Sequence, residues 1–92
     1  MDFEWDPAKA ESNERKHGVS FAEATTIFGD PHELMITDPD HSEGEYRYLS
    51  LGRSVEGRVL VVSYTELEQN RIRLISARPA TAAETFRYES NT

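Results

Sequence analysis

The stretch 71–78, RIRLISAR, contains the side chains of this chain that are best suited to hold an anion. It has three arginines in eight positions. A guanidinium offers a planar fork of donors that holds a phosphate or a carboxylate through two hydrogen bonds. These arginines therefore either bind an anionic ligand or pair with acidic neighbours at the surface, and the stretch alone leaves both readings open.

Strand geometry limits how the three arginines could act together. Alternate residues of a strand share a face, so Arg71 and Arg73 would point the same way. Arg78 is five positions beyond Arg73 and would fall on the other face of a regular strand. We expect either that one of these two has a structural role or, as we favour, that the strand ends and the chain turns before Arg78.

Three other side chains could transfer a proton. His17 could act as a base at neutral pH, and Glu66 and Tyr88 are candidate acid or base partners. Each also has a structural alternative. His17 falls at a predicted helix end, where a histidine often hydrogen-bonds the last carbonyls, Glu66 could pair with an arginine, and Tyr88 could cover the sheet.

Metal chemistry is not predicted. The segment 38–44, DPDHSEG, superficially resembles a calcium loop, but its glycine comes one place late and Leu49 stands at the twelfth position, where a glutamate is needed. His32 and His41 are too widely dispersed, together with His17, for a zinc site. The chain has no cysteine, which excludes thiolate sites and thiol nucleophiles. We expect neither a metal nor another cofactor.

The net charge of −7 is unevenly distributed. Residues 1–46 carry twelve acids and three bases, whereas residues 47–92 carry seven arginines and five acids. The C-terminal half therefore favours an anionic partner, although the acidic N-terminal half argues against direct binding to DNA. The length predicts one domain, 1–92. No apolar run is long enough for a membrane span or a signal peptide, so we expect no membrane association and a cytoplasmic setting.

Local patterns predict the elements that must position these side chains. Residues 2–5 form a short strand, and Asp6-Pro7 and Gly18 bound a first helix. Ser20 and Glu23 form a capping box that opens a second helix ending near residue 29. These two helices form a hairpin.

From residue 32 onward the apolar period changes to two, which indicates strands. The segment 32–37 is predicted as an edge strand, 45–53 alternates, and 58–65 is apolar on both faces, as is typical of a central strand. A second capping box, Thr81 with Glu84, opens a terminal helix. The order β-α-α-β-β-β-β-α predicts an α+β domain in which the helical hairpin and the C-terminal helix pack on an antiparallel β-meander.

Several of these segments together resemble one family. The opening FEWDPAKAESNERKHGVSF, the middle DPDHSEGEYR, LGRS and GRVLVVSYTE, and the closing RIRLISARPAT with Glu84 and Tyr88 are similar to the BrnT toxins of bacterial type II toxin–antitoxin systems. The resemblance covers nearly the whole chain, in order and with matching spacings.

The resemblance implies a RelE-like fold and a metal-independent endoribonuclease that inhibits translation. It also implies neutralisation by a BrnA-type antitoxin that binds operator DNA through a ribbon-helix-helix domain. Arg53, Arg73 and Arg78 match family positions and would stabilise the reacting phosphate. His17, Glu66 and Tyr88 would complete the catalytic set, and Lys16, Arg58 and Arg71 would bind the RNA.

Two differences from the family pattern support an alternative. Leu67 stands where the family commonly has arginine, and Ala82, Ala83 and Thr85 replace positions that are often basic. Because binding to a polyanion depends on phosphate neutralisation, these residues also fit an inactivated or non-catalytic module. Such a module would bind a ribbon-helix-helix antitoxin through its arginine surface and modulate transcription.

Overall fold

The computed structural model describes residues 1–37 and 47–91 as one α+β unit. Its elements in chain order are β1 (Asp2–Glu4), α1 (Pro7–His17), α2 (Phe21–Thr25), a 3₁₀ segment (Thr26–Gly29), β2 (Leu34–Thr37), β3 (Tyr48–Arg53), β4 (Val59–Leu67), β5 (Arg71–Pro79) and α3 (Ala82–Ser90). The segment 38–44, on which the calcium-loop comparison rested, lies outside the described residues.

The strands form one five-stranded sheet in the order β1-β5-β4-β3-β2. Strands β2 to β5 each pair antiparallel with their neighbour in the chain, and β4, the two-sided apolar strand, lies at the centre as predicted. β1 pairs parallel with β5. The sheet is therefore mixed rather than wholly antiparallel, and the first and last strands of the chain pair at one edge.

The predicted helix ends are largely confirmed. The side chain of Asp6 accepts a hydrogen bond from the backbone N–H of Ala8, and Gly18 ends α1 with a left-handed φ of 71°. Thr81 and Glu84 form the complete capping box of α3. The box predicted for α2 is only half formed: Ser20 caps the helix, but the carboxylate of Glu23 turns away to a long-range partner.

The apolar residues form a core on each face of the sheet. The larger core lies between the sheet and the two N-terminal helices, and contains Val19, Phe21, Ala24, Ile27, Leu60, Val62, Tyr64, Ile72, Leu74 and Ala77. The smaller core, Leu51, Val61 and Tyr88, lies under α3. We call the face that carries α3 the outer face. Because α3 packs on β3, the outer side chains of β5 lie beside the helix and not beneath its centre.

Candidate functional site

A β-bulge in β5 corrects the expectation for the two key arginines. The register of β4 and β5 shifts between residues 63 and 64, and the shift leaves Ile75 without a partner on β4. Arg73 pairs with Thr65, and Arg78 pairs with Val61. Since Thr65 and Val61 are four residues apart on one strand, their side chains share a face. Arg73 and Arg78 therefore both lie on the outer face, and Arg78 lies inside the strand, not beyond its end. Bulges of this kind are common next to active sites.

Two adjoining depressions follow β5 on either side of the bulge, and together we call them the β5 groove. The larger, of about 450 Å³, is lined by Glu4, Trp5, Asp6, Lys9, Arg47, Arg73, Leu74 and Ile75. The smaller, of about 210 Å³, is lined by Lys9, Ser12, Asn13, Lys16, His17, Ile75 and Ser76. They share Lys9 and Ile75. The groove thus brings together three residues predicted from the sequence, namely His17, Lys16 and Arg73.

A buried asparagine builds the wall of this groove. The amide of Asn13 donates to the carbonyl oxygens of Val19 (3.0 Å) and Ala77 (2.8 Å), and its oxygen accepts from the N–H of Ala77 (3.1 Å). β1 covers the edge of β5 only over residues 71–73. Asn13 therefore acts as a strand partner further along, and it fixes α1, with Lys9, Lys16 and His17, against β5.

The arginines at the start of β5 are engaged by a single carboxylate. Arg73 donates from Nε (2.9 Å) and Nη2 (2.7 Å) to one oxygen of Glu4. The Nε of Arg71 lies 3.7 Å from the other oxygen. The parallel pairing of β1 with β5 sets Glu4 opposite Arg73. All three side chains are at least one-third exposed, so these ion pairs are weak and open to exchange with a ligand.

Arg78 binds the C-terminal helix, and its side chain stays 39% exposed. Its Nη1 and Nη2 atoms reach the two carboxylate oxygens of Glu84 at 2.8 and 2.9 Å. The same carboxylate accepts from the backbone N–H of Thr81, the N-cap of α3. The hydrogen bonds from Arg78, together with those from Thr81, lower the pKa of Glu84 to about 2 even though burial opposes the shift. Arg78 therefore fastens the start of α3 to β5.

Arg53 and Tyr88 fasten the other end of α3. The guanidinium carbon of Arg53 lies 5.6 Å from the centroid of the Tyr88 ring, and its Nη2 lies 3.5 Å from Glu89. The Tyr88 hydroxyl donates to Asp30, which also accepts from the backbone N–H of Arg53. Burial, together with Asp30, raises the pKa of Tyr88. Tyr88 is 2% exposed and keeps its proton at neutral pH.

Asp30 is a residue that the sequence analysis missed. Burial alone would raise the pKa of Asp30, but hydrogen bonds from the Arg53 N–H, the Tyr88 hydroxyl and the His32 N–H outweigh it and lower that pKa. The signal in the sequence was only a Gly-Asp-Pro turn, which describes local structure. The long-range contact to Tyr88 could not be read from it.

Arg58, predicted to bind RNA, is bound internally. Its Nε donates to Glu23 at 3.0 Å, and its Nη2 reaches both Glu23 and the carbonyl of Gly18. The Glu23 carboxylate also accepts from Ser54 at 2.7 Å. The hydrogen bond from Arg58 lowers the pKa of Glu23 against the effect of burial. Arg58 therefore neutralises a buried carboxylate, which disfavours a role in RNA binding.

Glu66 is separated from Arg73 by the sheet. It pairs with Ile72, whose side chain belongs to the larger core, so Glu66 points to the face opposite Arg73. It lines a depression of about 420 Å³ with Glu33, Tyr64 and Arg71. The structure thus does not bring Glu66 to the β5 groove.

Other features limit the kinds of site present. Within residues 1–37 and 47–91, no group of three or more histidine, cysteine or acidic side chains is placed to hold a metal ion. Among the described residues, no helix is long and apolar enough to cross a membrane.

The comparisons with known proteins agree with this architecture. The family model described as "Ribonuclease toxin, BrnT, of type II toxin-antitoxin system" matches residues 5–84. The chain belongs to the BrnT family. It is therefore a ribonuclease toxin of a type II toxin–antitoxin system by family, and an antitoxin is implied as its partner.

The BrnT fold is supported by a solved structure. The crystal structure of the Brucella abortus ribonuclease toxin, BrnT, determined at 1.1 Å resolution, matches with a TM-score of 0.67 and 20% sequence identity. The match covers 88% of this chain and 97% of that one. At this identity the likeness shows the fold alone. Curated proteins yield no match to the chain.

Proposed function

We propose that this BrnT-family chain cleaves RNA in the β5 groove without a metal ion, acts in the cytoplasm and inhibits translation. Its single domain, 1–92, would be a RelE-like one. A BrnA-type antitoxin with a ribbon-helix-helix domain would neutralise it and make the contacts to operator DNA. The observation that carries this proposal is that His17, Lys16 and Arg73 line two adjoining depressions that share Lys9 and Ile75.

The groove holds candidates for the three things that metal-independent cleavage of RNA needs. A base must take the proton of a 2′-hydroxyl, cations must stabilise the phosphorane, and an acid must protonate the leaving oxygen. His17 is the candidate base, and as an imidazolium it could return the proton to the leaving oxygen. Arg73 stays charged at any working pH and can fork onto two phosphate oxygens. Lys9 and Lys16 extend the positive surface, and Arg71 lies outside the groove, with its Nε 3.7 Å from Glu4.

The three residues at α3 fit a structural role better than a chemical one. Arg78 and Tyr88 bind α3 or Asp30 through their polar groups, and Arg53 lies close to Glu89 and donates to the carbonyl of Gly57. The family resemblance implies catalytic roles for Arg53 and Arg78, so that Arg53→Ala and Arg78→Ala would abolish cleavage while the fold persists. The contacts favour a different result, in which these variants melt earlier and each folded molecule keeps its activity.

The experiment is an RNA cleavage assay with EDTA present. His17→Gln should lower the rate by about 10²–10⁴-fold if the imidazole is the base, and Arg73→Gln should lower it by about 10²–10³-fold. Arg15→Gln is the matched control, because Arg15 is an exposed arginine of α1 that pairs only with Glu11 in the described contacts. Thermal melts of every variant separate lost chemistry from lost folding. Wild-type cleavage that needs added metal, or that equals both groove variants, would refute the proposal.

A specific observation also supports the non-catalytic alternative. Arg53, Arg73 and Arg78 each lie within ion-pair distance of a carboxylate, from Glu89, Glu4 and Glu84 respectively. Arginines neutralised in this way attract a polyanion weakly. In this reading the chain binds its antitoxin and modulates transcription without cleaving RNA. Antitoxin binding by a wild-type chain that leaves RNA intact in the assay above would favour it.

A further inference from the structure

Two buried donors without acceptors lie side by side on the outer face of the sheet. Tyr48 of β3 pairs with Tyr64 of β4, so the register sets Arg47 beside Thr65. Thr65 pairs in turn with Arg73 of β5. Within the described residues, the Nε of Arg47 and the hydroxyl oxygen of Thr65 are both buried and have no hydrogen-bond partner. Thr65 is only 4% exposed.

Unpaired buried donors are rare in proteins because each loses its bonds to water. A guanidinium N–H can only donate, and a hydroxyl can donate to a charged acceptor. In the row formed by Arg47, just before β3, Thr65 of β4 and Arg73 of β5, two members therefore lack an acceptor, and Arg73 is bound by Glu4. The larger depression of the β5 groove opens beside this row, lined by Arg47, Arg73 and Lys9.

One member of this row, Arg73, already has an acceptor, and that acceptor is a carboxylate. The carboxylate of Glu4 lies at its end and accepts two hydrogen bonds from Arg73 through one oxygen. A phosphate is larger, carries more acceptor oxygens and can bind two guanidinium groups at once. Trp5, which also lines the depression, offers an aromatic surface of the kind on which nucleotide bases stack.

We propose that Arg47, Thr65 and Arg73 form a seat for one backbone phosphate of single-stranded RNA, with Lys9 at its rim and Glu4 as the internal carboxylate that the phosphate displaces. The proposal rests on the proposed function, since it names where the substrate of the same groove is held. Arg47 and Thr65 were not among the residues singled out from the sequence.

The test measures binding apart from cleavage. The probe is a fluorescein-labelled ten-nucleotide 2′-O-methyl RNA, which cannot be cleaved because it lacks the nucleophilic hydroxyl, and anisotropy gives the Kd at several salt concentrations. Arg47→Gln should weaken binding about tenfold or more and reduce the salt slope by about 0.7, the value for one lost phosphate contact on a single strand. Inorganic phosphate should compete for wild type and not for Arg47→Gln.

Two further variants keep the test decisive if Arg47→Gln folds poorly. Thr65→Val keeps the shape and removes an unpaired hydroxyl, so it should weaken binding about threefold while the Tm stays level or rises. Glu4→Gln frees Arg73 and should tighten binding. Arg15→Gln, with the same charge change as Arg47→Gln but away from the row, should stay within about twofold of wild type.

The outcomes separate the seat from the proposed function. If Arg47→Gln and Thr65→Val bind the probe as Arg15→Gln does, the seat is refuted, whether or not ordinary RNA is cleaved. If both weaken binding while wild type leaves ordinary RNA intact, the seat stands and the catalytic proposal falls. Tighter binding by Thr65→Val would also refute the seat, because it would show that the hydroxyl makes no contact with the phosphate.

Discussion

Replacing Arg58 with alanine is expected to lower the free energy of unfolding by about 3 kcal/mol. Glu23 is 6% exposed, and Arg58 supplies its only cationic partner among the described contacts. Removing one partner of a buried pair costs about 3–5 kcal/mol, because the remaining charge is left without compensation. The Arg58 side chain is 41% exposed, and the hydrogen bond from Ser54 remains, so we take the lower end of that range.

The assay is urea unfolding followed by circular dichroism at pH 7, with thermal melts beside it. For a domain of this size, about 3 kcal/mol corresponds to a fall in Tm of roughly 12–24 °C. Arg15→Ala is the control, since it removes an exposed arginine from an i, i+4 pair on α1 and should cost at most about 0.5 kcal/mol. RNA affinity per folded molecule should be unchanged in Arg58→Ala.

The effect of pH provides a second check on Arg58. Because the pKa of Glu23 is lowered in the folded chain, mainly by Arg58, its stabilising contribution is present above the unfolded pKa and is lost as the pH falls through the folded one. The gap between wild type and Arg58→Ala should therefore narrow below about pH 4.3, the ordinary value for glutamate. A gap under about 1 kcal/mol at pH 7, or one that does not narrow in acid, would refute the reasoning.

Three other substitutions test separate parts of the fold. Asn13→Ala should cost about 3 kcal/mol in urea unfolding, because it removes three buried hydrogen bonds and leaves both polar groups of Ala77 without partners; a loss below about 1 kcal/mol would contradict this. Gly52→Ala should cost about 1–3 kcal/mol in the same measurement, since the added Cβ would lie 2.8 Å from the Cβ of Ile27, and an unchanged Tm would show that the 3₁₀ segment can move away from β3 at no cost. Glu84 has a pKa of about 2, so its contribution to stability is complete above pH 4.5 and disappears as the pH falls toward 2. Glu84→Gln should therefore make Tm depend less on pH between these two values. An equal slope of Tm against pH in wild type and variant would contradict the ion pair.

Local signals in the sequence predicted the elements well. Asp6, Gly18 and Thr81 act through backbone groups within a few residues, so the helix end that each of them predicts does not depend on the rest of the fold. The apolar residues on both faces of 58–65 identified the central strand for the same reason. What such signals could not supply was the pairing of β1 with β5, because no local pattern states that the two segments are parallel neighbours.

The candidate site was harder to predict because its geometry depends on long-range partners. The bulge at Ile75 arises from the ladder with β4 and reverses the expected facing of Arg78. Glu23 reads as a capping residue, yet its carboxylate binds Arg58, thirty-five residues away. Arg47 and Thr65 lie in the segments DPDHSEGEYR and GRVLVVSYTE, but the segments do not show that their polar atoms lack partners, which becomes visible only in the assembled sheet.

The parallel pairing of β1 with β5 determines when the groove can exist during synthesis. Glu4, Trp5 and Lys9 are translated early, whereas Arg73 and Ser76 are joined to the chain some sixty-four or more residues later, as their numbers show. Contacts so distant in sequence form late in folding, and a nascent chain without β5 has no groove to hold RNA. If the groove is the toxic site, that site is still incomplete while the ribosome is making the strands of the sheet. The antitoxin can then bind the chain before the groove has formed.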